Sequence, residues 1–268
     1  VDLAGGGATA LLLPPQVRSQ LLDLLISAST GATPADFCTG GGSYAFAPAV
    51  PSTLVAGGSW VLSFSNCVAG VGIDAMRIAG TVALRLDAVS GLPGGADYGA
   101  TLAATNLALS IVDVDAAPVL QQGIAGALTI ARAVVAGSRA DQVTAPPGGA
   151  LEVSESSGGT KEASATLRAG SIRTSIPTSG TVRLATSGDT VELALGGVTF
   201  AIGVQQSIGL GATTLEPVAG VSQVRATADN SQLTATLSSD GDTTSATLAI
   251  DTDGDGTVDG SLSVPWEF

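Results

Sequence analysis

The sequence contains no histidine, and this absence excludes several kinds of chemistry at once. Histidine is the usual general base near neutral pH, a frequent zinc ligand and the central member of the Ser-His-Asp triad. Catalysis by carboxylates alone is still open to the chain, but no pair of acidic residues stands out as an acid and a base. The sequence therefore predicts a protein that is not an enzyme.

Charged residues are also scarce. They make up 12% of the chain, against about 25% in an average soluble domain. Lys and Arg number 10 and Asp and Glu number 23, which gives a formal net charge of −13. Because phosphate binding requires a basic patch, this balance argues against nucleic acid as a partner.

Large side chains are few as well. Aromatic residues make up 3% of the chain, although hydrophobic residues reach 45% and glycine occurs 36 times. The apolar content is therefore mostly Ala, Val and Leu. A monomer of this composition would expose much small-residue apolar surface, which neighbouring molecules often cover. The composition thus favours self-association into a homo-oligomer or polymer.

Short segments that alternate apolar with small or polar residues follow one another from Arg77 to Ile250. Gly, Asp and Pro separate them, and Glu162–Arg168 and Ile172–Ile176 are two of these segments. This spacing predicts an all-β fold, either an antiparallel β-sandwich or barrel-like sheets, with one short N-terminal helix.

The best candidate linker is Ala140–Gly149, which contains Pro146-Pro147-Gly148-Gly149. It divides the chain into two regions. Residues 1–140 would hold an N-terminal arm, the helix and the two cysteines, and residues 150–268 would form a Ser/Thr-rich β region that contains an acidic loop. A single domain is the alternative to this division.

The predicted helix begins at Pro14-Pro15 and ends at Gly31. Its apolar residues recur at helical spacing, and they are Val17, Leu21, Leu24, Leu25 and Ala28. The segment is too short and, at Arg18 and Asp23, too polar to cross a membrane, so no transmembrane helix is expected.

The chain begins at Val1 without an initiator methionine, which predicts a mature form left after removal of a signal peptide. The first 13 residues are apolar and glycine-rich. They would either fold back on their own domain or add as a strand to the sheet edge of another subunit.

The chain's best chemical motif is Asp251-Thr-Asp-Gly-Asp-Gly-Thr-Val-Asp259, which lies between two strand-like segments. Carboxylates on alternate residues of a turn can converge on calcium, which prefers six to eight oxygen ligands. The predicted ligands are Asp251, Asp253, Asp255, Thr257 and Asp259. Leu262 stands where an EF-hand has its bidentate Glu, so the expectation is a calcium loop in a β-hairpin. A solvated Asp/Gly turn is the alternative.

Cys38 and Cys67 are the only cysteines. In an exported β-rich chain the simplest interpretation is one disulfide. Two free buried thiols in a cytosolic protein are the competing interpretation.

Three segments around these cysteines form a recognisable pattern. They are Phe37-Cys-Thr-Gly-Gly-Gly-Ser-Tyr44, Gly58-Ser-Trp-Val-Leu-Ser-Phe-Ser-Asn-Cys67 and Gly80-Thr-Val-Ala-Leu84. The pattern resembles exported β-rich proteins of Gram-negative bacteria, in which a Cys-x-Gly-Gly segment and a Phe-x-Asn-Cys strand precede a Gly-Thr-Val strand. Such chains often carry an Asp-Gly-Asp-Gly loop and end near Pro-Trp, as at Pro265-Trp266. The resemblance implies export and a disulfide, and it supplies no activity.

These features favour a structural subunit of an extracellular or cell-surface bacterial assembly, a filament or a surface layer, that assembles by β-edge pairing or strand donation. A calcium-dependent adhesin or glycan-binding module is the second hypothesis, with Tyr44 and Trp60 as its candidate aromatic patch for a surface glycan. Packing of both rings near the disulfide is the alternative. An outer-membrane β-barrel is the third, suggested by the alternation of Leu262, Val264 and Trp266 before Phe268. Pro265 and the missing aromatic girdles argue against it.

Overall fold

Strands dominate the computed structural model, which describes residues 20–69, 75–91, 95–113, 120–145, 151–157, 160–178, 182–195, 198–210, 217–239 and 244–265. Within these ranges fifteen strands form one sheet in which every pairing is antiparallel. The strands are β1 Ser43–Ala47, β2 Ser59–Ala69, β3 Met76–Gly91, β4 Tyr98–Asp113, β5 Leu120–Val135, β6 Ser138–Ala145, β7 Leu151–Ser157, β8 Thr160–Ile176, β9 Arg183–Ala185, β10 Thr190–Leu195, β11 Val198–Leu210, β12 Pro217–Ala226, β13 Gln232–Ser239, β14 Thr244–Asp251 and β15 Gly260–Pro265.

The sheet is a meander, because strands that are consecutive in the chain are also neighbours in space. Strands β6 and β7 share one position, since both lie between β5 and β8. Strands β9 and β10 share another, between β8 and β11. The all-β antiparallel class and the N-terminal helix that the sequence predicts are confirmed, and the strands belong to a single continuous sheet.

The N-terminal helix, α1, covers residues 20–29 of the described chain. It ends where the sequence predicts, at Gly31, whose φ of 90° places it in the left-handed region. The Ala32 N–H donates to the Ser27 carbonyl over 3.0 Å, and the Gly31 N–H donates to the Ala28 carbonyl over 3.2 Å. This pair of bonds is a Schellman motif, which satisfies the last carbonyls of the helix. A single turn, α2 (Pro34–Phe37), follows.

The main core lies between α1 and the first seven strands. Leu21, Leu22, Leu24, Leu25 and Ile26 are all buried, and together they occupy about 200° of the helix circumference. A flat sheet would contact a narrower stripe. The sheet therefore curves around the helix.

Bulges supply this curvature. In β2 the register shifts between Phe64 and Cys67, and Asn66 has a φ of 49°. Phe64 pairs with Gly80 of β3, whose φ is 121°, and a Cβ there would lie 2.0 Å from the Ala108 carbonyl oxygen. Only glycine fits such an approach of two backbones. Bulges of this kind increase the local twist and bend a sheet.

Burial decreases beyond β8. The second hydrophobic cluster is small, and its buried members are Ile172, Ala185, Val191 and Ile202. The predicted linker precedes this change, its residues 140–145 belong to β6, and hydrogen bonding continues across it, because β5 pairs with β7 and β6 pairs with β8. Of the predicted linker, residues 146–149 lie outside the described chain.

Candidate functional site

The acidic loop joins β14 to β15 in a hairpin, as its sequence predicts. The Asp259 N–H donates to the Ile250 carbonyl over 2.8 Å and closes the loop at its base. Gly254 and Gly256 have φ values of 74° and 87°, which are left-handed conformations that glycine adopts without strain. The flanking elements are strands, so the loop is not part of a helix-loop-helix.

The Asp251 side chain lies inside the loop and holds its backbone in place through hydrogen bonds. Its side chain is buried and accepts hydrogen bonds from the Gly254 N–H (2.7 Å), the Gly256 N–H (2.9 Å) and the Gln232 Nε2 amide (3.0 Å). Burial by itself would raise the pKa of Asp251, but these donors outweigh that effect and hold the pKa below its ordinary value. Asp251 is therefore a carboxylate at neutral pH.

Asp259 anchors the other end of the loop. One oxygen of its carboxylate accepts the Thr252 hydroxyl and the Thr252 N–H, the latter over 2.8 Å. These two bonds lower the pKa of Asp259. Asp253 and Asp255 are more exposed, and each accepts the N–H of the residue two positions later, over 3.2 Å and 2.7 Å.

Three of the predicted ligands come together. One carboxylate oxygen from each of Asp251, Asp253 and Asp259 lies within 4.8 Å of the others, a separation that one cation can bridge. Asp255 is not one of these three residues. Its carboxylate accepts the Thr257 N–H. A carboxylate offers about four lone-pair directions, so the internal hydrogen bonds leave acceptor capacity for a cation.

The adjacent turn between β12 and β13 supports the loop. A Cβ at Gly254 would lie 2.7 Å from the Asp229 carbonyl oxygen, so the two turns are in close backbone contact. The Asp229 carboxylate accepts the N–H and the hydroxyl of Ser231 over 3.0 Å and 2.8 Å, and these bonds lower its pKa. The loop thus rests on a second turn whose shape is fixed independently.

The disulfide between Cys38 and Cys67 is present and buried. The glycines after Cys38 pack directly on β2, because a Cβ at Gly42 would lie 1.9 Å from the Asn66 carbonyl oxygen and one at Gly40 would lie 2.5 Å from Val68 Cγ1. The Gly40 N–H also donates to the Val68 carbonyl over 2.9 Å. The Cys-x-Gly-Gly and Phe-x-Asn-Cys segments therefore form one packed unit, which has a structural role.

Tyr44 and Trp60, the candidate aromatic patch, are both buried, each with 5% of its surface exposed. Tyr44 contacts Phe37, Phe46 and Phe64 at ring-centroid distances of 5.9 to 6.3 Å. Neither ring is available to stack on a sugar at the protein surface.

Sequence reasoning missed a charged cluster beneath the helix. Arg132 of β5 is directly opposite Asp141 of β6 and donates to both of its carboxylate oxygens, over 2.7 and 3.0 Å. Arg132 also donates to Asp23 of α1, and Arg139 donates to Asp141 over 2.8 Å. Arg132 lies on the same face of β5 as Ile130, and Asp141 lies on the same face of β6 as Val143. This face is the one toward the helix. The sequence feature that could have revealed this cluster is the presence of charged residues at strand positions that face the core.

A comparison of the chain with protein-family models, with curated proteins and with solved structures gave no match in any of the three. In the described ranges, neither helix has the length and apolar character needed to span a membrane.

Proposed function

We propose that this protein is a non-catalytic structural subunit of an extracellular bacterial assembly, a filament or a surface layer, whose copies join through sheet edges or by strand donation. The observation that supports the proposal is the open sheet. Among the described residues, the outermost strands β1 and β15 each pair with one neighbour only. Each leaves a row of backbone donors and acceptors without a strand partner.

The two edge strands carry no charge that would repel another strand. Strand β1 is Ser-Tyr-Ala-Phe-Ala and β15 is Gly-Ser-Leu-Ser-Val-Pro. Edge strands that remain unpaired in natural proteins are commonly protected by charged residues or by proline. Of these features, the two strands have only Pro265, at the last position of β15.

The order of the strands limits how copies can join. The path from β1 to β15 has 13 antiparallel positions, so both edge strands run in the same direction. A two-fold axis beside either edge would pair that strand antiparallel with its own copy. Use of both edges in this way generates a chain of subunits without a fixed end, as a filament or layer requires.

The acidic loop supplies the second part of the proposal, a calcium ion that stiffens the β14–β15 hairpin. Asp251, Asp253 and Asp259 would be the carboxylate ligands, and the loop lies directly before the edge strand β15. A calcium ion bound in the loop would also restrain the first residues of β15. Assembly and calcium binding are therefore expected to be coupled.

Assembly is expected to depend on calcium. Electron microscopy of the purified protein should show ordered filaments or sheets with calcium, and these should loosen when a chelator removes it. Light scattering after size exclusion supplies the decisive measurement. A protein that stays monomeric at high concentration in the presence of calcium would contradict the proposed function.

Calcium binding is expected to depend on the three convergent carboxylates. Isothermal titration of the wild type should give a dissociation constant of about 10⁻⁴ to 10⁻³ M, the range of extracellular calcium modules. Asp253→Asn removes a ligand charge and should weaken binding on the order of tenfold.

The matched control for this titration is Asp229→Asn in the adjacent turn. It removes the same charge beside the loop, and its amide oxygen can still accept the Ser231 hydrogen bonds. The control should bind calcium almost as the wild type does. Equal losses in both variants would mean that only the general negative field attracts the cation.

A further inference from the structure

One apolar face runs across the whole sheet, from β1 to β15. The strand register shows this directly, since residues directly opposite each other lie on the same face. One row crosses the first region through Leu86, Leu102, Ile130, Val143 and Ile172. A second row crosses the other region through Val191, Ile202, Val224, Leu233 and Ile250.

Burial along this face decreases toward the last strand. Ile130 is fully buried, and Val191 and Ile202 are 4% and 7% exposed. Ile250 is 37% exposed and Leu262 is 55% exposed. Strands β12–β15 make their main contacts with adjacent strands of the same sheet. The first half of the face has helix α1 as its second layer, whereas the part on β12–β15 is only partly covered.

The two faces of β12–β15 differ in chemistry. The face that continues the core is mostly apolar and carries Ser222, Val224, Leu233, Ala235, Leu237, Ser239, Ala246, Leu248, Ile250, Leu262 and Val264. The opposite face is mostly polar and carries Val221, Gln223, Arg225, Gln232, Thr234, Thr236, Thr247, Ala249, Ser261 and Ser263. Such alternation is typical of a sheet with one side packed on a second layer and one side in water.

The apolar face of β12–β15 reaches the lower size limit of a specific contact. Four strands at a spacing of about 4.8 Å and eight residues at about 3.4 Å give about 500 Å² of planar face. Two such faces would bury about 1,000 Å² in total, which is the lower limit for a specific interface. An assembly that also pairs its edges would add to this area.

The charge of the chain restricts the surface on which a second copy can dock. Each molecule has a formal net charge of −13, so two copies repel over most of their surfaces. The residues that form the apolar face of β12–β15 include no ionisable side chain. Two copies therefore meet here without placing carboxylates opposite each other, and the same apolar surface is complementary to itself.

We propose that the apolar face of β12–β15 packs against the same face of a second copy, so that two sheets form an aligned sandwich about 10 Å apart. This inference deepens the proposed function, and rests on it, because it names a contact by which subunits of the assembly join. Edge pairing extends a sheet sideways, and the face contact places one sheet on another.

The test compares two variants that add the same charge to the same strand. Leu262→Glu places a carboxylate on the apolar face of β15, and Ser261→Glu places one on the opposite face. Both side chains are exposed, so both variants are expected to fold, and their effects on edge pairing are matched. Sedimentation velocity over a concentration series, with calcium present, measures self-association of the full chain.

Leu262→Glu should raise the dissociation constant for self-association at least tenfold, and Ser261→Glu should change it less than about threefold. Leu262→Ser, which adds no charge at a half-exposed site, should give an intermediate loss. Circular dichroism and the thermal midpoint check that each variant keeps the fold. Equal effects of the two Glu variants, or no effect of either, would overturn the inference.

The outcomes separate this inference from the proposed function. Discrete dimers that Leu262→Glu dissociates, without any larger assembly, would support the face contact and contradict the filament or layer. Filaments or layers that tolerate Leu262→Glu as well as Ser261→Glu would support the function and contradict the face contact. A wild type that stays monomeric would contradict both.

Discussion

Replacing Asp141 with alanine is expected to destabilise the protein by about 3 kcal/mol, as is usual when one partner of a buried ion pair is removed. Arg132 would remain beneath the helix with only 1% of its side chain exposed, and it would lose both hydrogen bonds to Asp141. Asp23 would still accept from Arg132, so the loss should lie toward the lower end of the usual range. Urea unfolding followed by circular dichroism measures it.

The loss should also depend on pH. Burial alone would raise the pKa of Asp141, but Arg132 and Arg139 reverse that effect and hold it below the ordinary value. A lowered folded-state pKa means that the unfolded chain binds the proton more readily, so this stability is present above pH 4 and is lost as the pH falls further. The difference between wild type and Asp141→Ala should therefore shrink below about pH 4.

Asp87→Ala is the matched control for this experiment. Asp87 also accepts from an arginine on the sheet, Arg85, but the two side chains are 34% and 64% exposed. Exposed pairs contribute little because water screens them, so this variant should be close to wild type at every pH. The double variant Arg132→Leu/Asp141→Leu should recover much of the stability, since it removes the unpaired charge as well. Equal losses from Asp87→Ala and Asp141→Ala would contradict the assigned role of the buried cluster.

Prediction from the sequence was most accurate for features that depend only on residues adjacent in the chain. Gly31 ends α1 because only a residue that tolerates positive φ suits that position, and this signal needs no knowledge of the fold. The alternation of apolar residues likewise predicted the strands. It failed at residues 169–171, where two predicted strands are one, because Gly170, whose φ is 126°, stays paired with Ala145 and Val191 inside β8 and does not form a turn.

Long-range contacts were harder to predict. Asp23 and Arg132 are 109 residues apart in the chain and meet only because α1 packs over β5. Arg132 is two residues from Ile130 in β5 and therefore shares its inward face, but its partners depend on which strands and which helix turn lie opposite. The same limit applies to the acidic loop. Spacing indicated five ligands, whereas the loop's own hydrogen bonds decide that Asp251, Asp253 and Asp259 converge.

Removing the disulfide is expected to have the largest effect on stability. The bond joins residues 29 positions apart, and closing a loop of about 30 residues restricts the unfolded chain by an amount worth roughly 3 to 4 kcal/mol. Cys38→Ala/Cys67→Ala should therefore unfold at a correspondingly lower urea concentration. Both cysteines are buried, so alanine is preferable to serine, which would bury an unpaired hydroxyl.

The wild type under reducing conditions is the necessary comparison, because it keeps both sulfur atoms in the core. If the cross-link stabilises the protein by restricting the unfolded chain, reduction and double substitution should cost nearly the same, and the difference between them measures the small cavities left by alanine. The loss should also be constant between pH 4 and pH 7, since neither the disulfide nor the alanine side chains that replace it titrate there. A reduced wild type as stable as the oxidised protein would show instead that the packing of Gly40 and Gly42 on β2 already holds this unit together without the covalent bond.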